Sequence, residues 1–413
     1  MIAKLICLRL QRNQNIMSAT NNTKLHPAII PLMAVAAGVT VANIYYNQPI
    51  LKDISQSIHA TDAEIGKVAM FSQLGYGLGM FFLIPLGDKV HRKNLILLLC
   101  GLLIITLTAL TFATNLYEVY ALSLFIGLFS TPAQIILPMA ATLDNVNRGK
   151  TVGKVFAGIL VGILGARVLS GLIAGSLGWR YVYGISAGMV FIIAILLKLY
   201  LPNVHPKFKG NYINLLKSTL ALVKEHRVLR QSALLGAFTF GVFCSFWTTL
   251  TFHLSAAPLN YSASVIGLFG LIAIGGALVA PWFGKLADKG NSYRSLLVSV
   301  GMIIGSIILI KLLPLSIAAL IISIFFLDIG VQATQITNFA RIYSLDEHSH
   351  SRLNTVYMTT YFIGGSIGTY FGLLSWKLGG WDLSTWQMLL WGVIAISIVM
   401  VSQRYATRNK VSV

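Results

Sequence analysis

Twelve runs of about 20 mostly apolar residues, separated by short polar stretches, constrain this chain more than any other feature, because a run of that length crosses a bilayer as a helix. In hydrocarbon only a helix or a closed barrel satisfies its own backbone polar groups, and runs this long favour the helix. They fall at 28–47, 65–86, 95–113, 119–141, 152–176, 181–201, 231–252, 262–283, 295–313, 315–340, 353–376 and 386–403, and are numbered here as spans 1 to 12. With 56% hydrophobic and only 10% charged residues, the chain does not read as a soluble domain. The predicted fold class is an all-α membrane protein.

The spans are written twice. Asp88, in a short basic loop after span 2, stands 200 residues before Asp288 in a similar loop after span 8. Arg148 and Arg352 precede Gly-rich runs 204 residues apart, and Gly178-Trp179 precedes Gly380-Trp381 by 202. A nearly constant offset across three landmarks marks an internal duplication. It predicts two pseudosymmetric six-helix bundles, at 27–201 and 231–403. Around them lie a polar leader (1–26), a basic linker (202–230) and a short tail (404–413). The leader is too polar and interrupted for a signal peptide, and Met17 offers an alternative start. In the linker, Leu215, Leu216, Leu220 and Val223 recur at helical spacing, which predicts an amphipathic helix on the membrane surface.

The net charge of +19 invites a nucleic-acid reading, but its distribution argues for topology instead. With the N-terminus in the cytoplasm, 25 Lys and Arg fall on that side and five (Lys52, Lys67, Arg180, Lys311, Lys377) on the other. Both termini are therefore expected in the cytoplasm of a cell whose inner membrane holds the chain. No contiguous basic face with interleaved aromatics is present for nucleic acid. Three cysteines lie far apart and offer neither a disulfide framework nor metal spacing. No nucleotide-binding loop or H-E-x-x-H occurs and the histidines are scattered, so an enzyme is not expected, and nothing resembles a channel filter.

Small residues at four-residue spacing let helix backbones approach in a bilayer. They occur in span 2 (Gly75, Gly79), span 5 (Gly158, Gly162, Gly171, Gly175) and span 11 (Gly364, Gly368, Gly372). A weaker series in span 8 comprises Ala273, Gly276, Ala277 and Ala280. These four spans are predicted to make the closest packing.

The duplication, the basic central linker and the repeated loop together resemble the major facilitator superfamily over about residues 27 to 403. That family's loop motif reads G-x-L-A-D-R-x-G-R-K. Gly284-Lys285-Leu286-Ala287-Asp288-Lys289 is similar to its first half, and the earlier copy keeps Leu86, Asp88, Lys89, Arg92 and Lys93. Ile84 and His91 stand there where glycines are usual. The resemblance implies a cytoplasmic gate made of Asp88, Lys89, Arg92, Lys93, Gly284, Asp288 and Lys289. An aspartate so placed is expected to accept backbone N–H bonds at a helix end, or to pair with the basic cluster. Within the family, the segment Gly162 to Gly171 is similar to the drug:proton antiporter motif of span 5. Here Ala166-Arg167 replaces Gly-Pro, and Ser123 stands where that branch has an arginine in span 4. The branch's coupling residues are therefore not carried over one for one.

Two charged residues sit near the middle of a span, Arg167 in span 5 and Asp328 in span 10. Either alone in hydrocarbon costs at least about 2.5–3.5 kcal/mol, so both are expected on a central cavity. Asp328 heads a polar stripe with Gln332, Gln335 and Asn338. Span 1 offers Thr40, Asn43 and Asn47 with Tyr46 beside them, span 4 offers Gln134 between two kinking prolines, and span 7 offers Phe240, Phe243 and Trp247. Spans 1, 4, 7 and 10 line the cavity throughout the resembled family. Two readings of Asp328 stay open: a proton carrier, or an ionised partner holding Arg167.

The function expected is secondary active transport by alternating access, energised by an ion gradient, with no cofactor or metal. The antiporter likeness implies proton-coupled efflux of a drug or metabolite. The Asn and Gln stripes equally suit a sugar or metabolite carrier with other coupling or uptake direction. The expected partners are a small-molecule substrate and the bilayer, and the expected functional unit is a monomer.

Overall fold

Among the described residues each apolar run is helical, and several of the helices continue past the run into its polar flanks. A computed structural model describes residues 28–143, 148–203, 210–272, 292–346 and 349–411. Span 1 is two helices, Ile29–Ala42 and Asn47–Ile58, joined by a turn at 43–46. Span 2 runs Lys67–Lys89 after a short helix, Asp62–Ile65, whose start is closed by a reciprocal Thr61–Glu64 capping box. Span 3 is Arg92–Thr111. Span 4 breaks between Leu116–Phe129 and Pro132–Leu143. The break falls just before Pro132, whose ring disfavours helical backbone at the preceding residue.

Span 5 (Arg148–Leu177) and span 6 (Trp179–Tyr200) complete the first half. In the second half, span 7 is Arg227–Ser255, span 9 Ser292–Leu312 and span 10 Ile317–Tyr343. Spans 11 and 12 form one element, His350–Val411, bent at Gly379 and Gly380. Span 8 is described for its first turns only, Ala263–Leu268 and Phe269–Leu271. Ten segments among the described residues are long and apolar enough to cross a membrane, and the last of them, His350–Tyr405, covers two of the predicted spans. The duplication shows in the backbone as well. Gly178 and Gly380 both take positive φ, +99° and +60°, at equivalent turns, and the tryptophan after each is buried.

The glycine series do pack against other helices, each on a specific neighbour. A Cβ on Gly75 or Gly79 would overlap the Leu124 and Leu128 carbonyls of span 4. Span 5 divides its glycines between two partners. Gly158 and Gly162 lie against Ala34 and Gly38 of span 1, while Gly171 and Gly175 lie against Ala263 and Ser264 of span 8. In span 11, Gly364, Gly368 and Gly372 rest on Ala237, Gly241 and Ser245 of span 7. The series predicted in span 8 lies outside the described residues.

The halves join at one end, where spans 1, 5, 7 and 11 finish and spans 2 and 8 begin. Ser366 Oγ donates to the Met70 carbonyl at 3.1 Å and Thr369 Oγ1 to Gln73 Oε1 at 2.8 Å. Thr251 Oγ1 donates to the Gln48 carbonyl at 2.8 Å, and Ser264 Oγ to the Gly171 carbonyl at 3.1 Å. Each bond crosses from one half to the other. Thr369→Val removes one of them, worth about 1 kcal/mol net or about fivefold in population. Spin labels across this end are expected to shift toward longer separations in that variant; an unchanged distance distribution would remove this bond from the clamp.

The linker helix is Tyr212–Glu225, capped by Asn211, and it rests on protein as well as facing outward. Leu215 and Leu222 are buried and the Tyr212 hydroxyl donates to the Phe82 carbonyl of span 2, whereas Ile213 and Leu220 are exposed. The surface reading therefore applies to one face of the helix.

Candidate functional site

A cavity of about 80 Å³ lies between the halves, walled by spans 1, 2, 4, 5, 7, 10 and 11. Its charged lining is Arg167 from span 5 and Asp328 from span 10. Both are almost wholly withdrawn from solvent, at 1% and 3% exposure. Their placement follows from helix packing. Span 5 is drawn against span 8 by Gly171 and Gly267, and the Arg167 Cβ fills the space left by Gly270.

The Arg167 guanidinium is held on its face and on one edge. Trp247 lies 4.0 Å beneath it, with Tyr45 and Phe243 at 5.4 and 5.5 Å. Cation–π attraction of this kind strengthens when the pair is desolvated. Its Nε donates to Gln48 Oε1 at 2.7 Å. The remaining edge, Nη1 and Nη2, is buried with no hydrogen-bond partner, and so is Asp328 Oδ2. Among the described residues the ion pairs within 4.0 Å are Lys52–Asp62, Asp88–Arg92 and Lys311–Asp382, all partly exposed. Arg167 and Asp328 share one cavity but do not close into a pair.

Of the polar stripe on span 10, Gln332 and Gln335 line the cavity with Asp328, and Asn338 does not. Asn338 donates instead to the Ser232 carbonyl and the Tyr357 hydroxyl, tying span 10 to spans 7 and 11. Ten residues along an α-helix fall roughly 80° short of three full turns, which rotates Asn338 off the face of Asp328. Gln134 lines the cavity and donates to the Tyr76 hydroxyl at 3.2 Å. Phe240 and Phe243 line it as stacked rings, while Trp247 sits behind the arginine.

The predicted cavity stripe of span 1 faces elsewhere in this structure. Thr40 Oγ1 donates back to the Ala36 carbonyl of its own helix. Asn43 accepts from Ser186 of span 6, and Asn47 donates to Ser72 of span 2. Tyr46 is buried, and Val41 and Tyr45 take the cavity side. The turn at 43–46 is the physical reason, since it resets the helical register in the middle of the stripe. Gln48 and Tyr45 were not singled out by the sequence, and no spacing sets them apart.

At the predicted gate, Asp88 Oδ1 accepts from Arg92 Nη2 at 2.9 Å, and Arg92 Nε donates to the Gly87 carbonyl. The expected capping of backbone N–H groups by Asp88 is absent among the described residues. Asp88 lies in the last turn of its helix, where carbonyls rather than N–H groups are free. Lys89 is exposed and Lys93 half-buried, while Gly284, Asp288 and Lys289 lie outside the described residues. His253 sits in the last turn of span 7, its ring stacked 4.3 Å from that of Trp381.

Residues 33–369 match the sequence model of the Major Facilitator Superfamily. The chain is 40% identical to the "Uncharacterized transporter YgaY" of Escherichia coli O157:H7 over 364 residues, 87% of this chain and 91% of that one. It is 26% identical to the "Probable transporter SCO4007" of Streptomyces coelicolor over 354 residues, 84% and 82% of the two chains. In fold it is similar to a bacterial homolog of the human lysosomal transporter Spinster, solved inward-facing and unoccupied, with a TM-score of 0.73 at 15% identity over 91% and 96% of the chains. The POT family transporter PepTSo gives a TM-score of 0.71 at 16% identity over 94% and 99%.

Proposed function

This chain belongs to the major facilitator superfamily and is a multi-pass membrane transporter, and on that premise we propose that it moves a small organic solute with proton coupling through the cavity between its halves. The carrying observation is that the two charges embedded in the spans, Arg167 and Asp328, meet in that cavity unpaired. A buried charge left without a partner costs stability, and transport gives a reason for keeping it. Asp328 takes up and releases a proton as the cavity opens to either side. The halves rock about the cavity, closing the end clamped by Ser366 and Thr369 and opening the other.

The cavity is walled by both halves, so a solute reaches Arg167 and Asp328 as the halves part. The antiporter likeness of span 5 favours export of a drug or metabolite. Three glutamines on the cavity, Gln134, Gln332 and Gln335, favour a hydroxylated or otherwise polar metabolite as the second reading. The lysine and arginine bias supports cytoplasmic termini in an inner membrane, and the working unit in this reading is a monomer. Nucleic acid has no part in this function.

Inverted vesicles carrying an imposed pH gradient test the reading. Some member of a panel of organic cations, organic acids, sugars and nucleosides is expected to dissipate the gradient. If every solute leaves it intact while radiolabelled counterflow proceeds, proton coupling is wrong.

A further inference from the structure

We infer that the solute carries a carboxylate, or an equivalent anion, which docks on the free edge of Arg167 while a proton occupies Asp328, so that acid and proton cross together. The inference rests on the transport reading above and adds the solute class and the sense of the coupling.

The Arg167 guanidinium can be held on its face, at its Nε edge and across its two η nitrogens. Its face is taken by Trp247 at 4.0 Å and its Nε edge by Gln48 at 2.7 Å. What remains is the pair of η nitrogens, buried and unpartnered, on a side chain that lines the cavity. Two parallel N–H donors in one plane match the two oxygens of a carboxylate, the bidentate geometry that makes arginine the usual reader of such groups. A lysine ammonium would not present this fork. Next to it the cavity wall is aromatic, with Phe240 stacked on Tyr361 at 4.0 Å and on Phe243 at 5.6 Å. An anion with a short apolar or aryl body satisfies both parts, whereas a cation would face the arginine.

Charge balance then sets the sense of coupling. Arg167 and Asp328 are the charged side chains lining the cavity among the described residues. Tyr45, Tyr361 and the Cys244 thiol are the other titratable groups whose fields reach the pair, and such groups are ordinarily uncharged near neutral pH. With no solute, the arginine cation and the aspartate anion balance. When an anion takes the arginine, a second negative charge on Asp328 is left uncompensated at a site largely withdrawn from solvent. A proton from water onto the Asp328 carboxylate restores balance. Both crossing states are then neutral, and the solute and its proton travel in one direction. Export remains available whenever the acid accumulates inside.

The test uses the purified full chain in detergent and four probes of one shape: benzoate, benzenesulfonate, benzamide and benzylamine. Calorimetric binding is expected to rank the two anions about 10- to 100-fold above the amide and the amine, the range of a charged hydrogen-bonded contact. Benzenesulfonate carries no proton of its own at neutral pH. Titrations in two buffers of different ionisation enthalpy are therefore expected to show close to one proton taken up per anion. Arg167→Gln is expected to abolish anion binding, and Arg167→Lys to recover it partly. Asp328→Asn is expected to keep anion binding but lose the proton uptake. Equal binding of all four probes by the wild type, or anion binding with no proton uptake or with proton release, overturns the inference. If carrier-mediated counterflow of another solute persists in liposomes when the anions do not bind, the solute class alone has failed and the transport reading stands.

Discussion

Asp328→Asn is expected to reduce proton-linked solute movement to the level of protein-free vesicles, while solute-for-solute exchange continues. Asparagine has nearly the shape of a neutral aspartic acid and cannot release a proton. The variant is therefore fixed in a form equivalent to the protonated carrier. Exchange needs only the loaded carrier to cross in both directions, so it survives, but the return of an empty, deprotonated carrier does not occur. Asparagine spares the desolvation of a buried carboxylate but leaves the Arg167 cation without its balancing charge, so the melting temperature of the variant is measured alongside to confirm that it is folded. Arg167→Gln is the contrasting case. It loses the stack on Trp247 and the anchor on Gln48, and exchange is expected to fall together with coupled movement. Measuring gradient-driven uptake and counterflow in the same liposomes separates the two. Equal loss of both activities in Asp328→Asn would make that residue a structural one.

The second large effect concerns the fold. Gly162→Val is expected to destabilise the protein by about 3 kcal/mol or more, at the upper end for overpacking, because backbone on both sides leaves nothing to yield. A Cβ there falls on the Gly38 backbone of span 1. Gly165 stands three residues further along the same helix with nothing within 4 Å of a Cβ, so Gly165→Ala is expected to be neutral or slightly stabilising through helix propensity. Thermal melting in detergent compares the two. Similar midpoints for both variants would show that the close approach of spans 1 and 5 is not what the glycine spacing secures.

These contrasts also show what sequence can disclose in such a chain. The run of apolar spans, their duplication and the small-residue faces of spans 2, 5 and 11 were legible because each depends on composition or a fixed period. Arg167 and Asp328 were legible because a bilayer makes charge conspicuous. The polar stripe of span 1 was misread, since Thr40, Asn43 and Asn47 keep a helical spacing on paper but straddle a turn at 43–46. The helix register changes there, and the residues bond to spans 2 and 6 instead. Gln48 and Tyr45 escaped notice because their importance comes from Arg167, which approaches from a different span. Of the two roles expected of Asp88, pairing with the basic cluster is met by Arg92, whereas capping depends on free N–H groups and the structure ends a helix there. Long-range pairings and helix polarity at a loop are not carried by local spacing.

The central claim is that the two halves open alternately about the Arg167–Asp328 cavity, and a reversible cross-link tests it most directly. Ser366 Oγ reaches the Met70 carbonyl at 3.1 Å across the closed end. Met70→Cys and Ser366→Cys, placed in a chain with its native cysteines replaced, can be joined by a short disulfide-cleavable bridge. Transport in liposomes is expected to stop on cross-linking and to return when the bridge is reduced. Transport at full rate through protein that is completely cross-linked would contradict alternating access at this cavity.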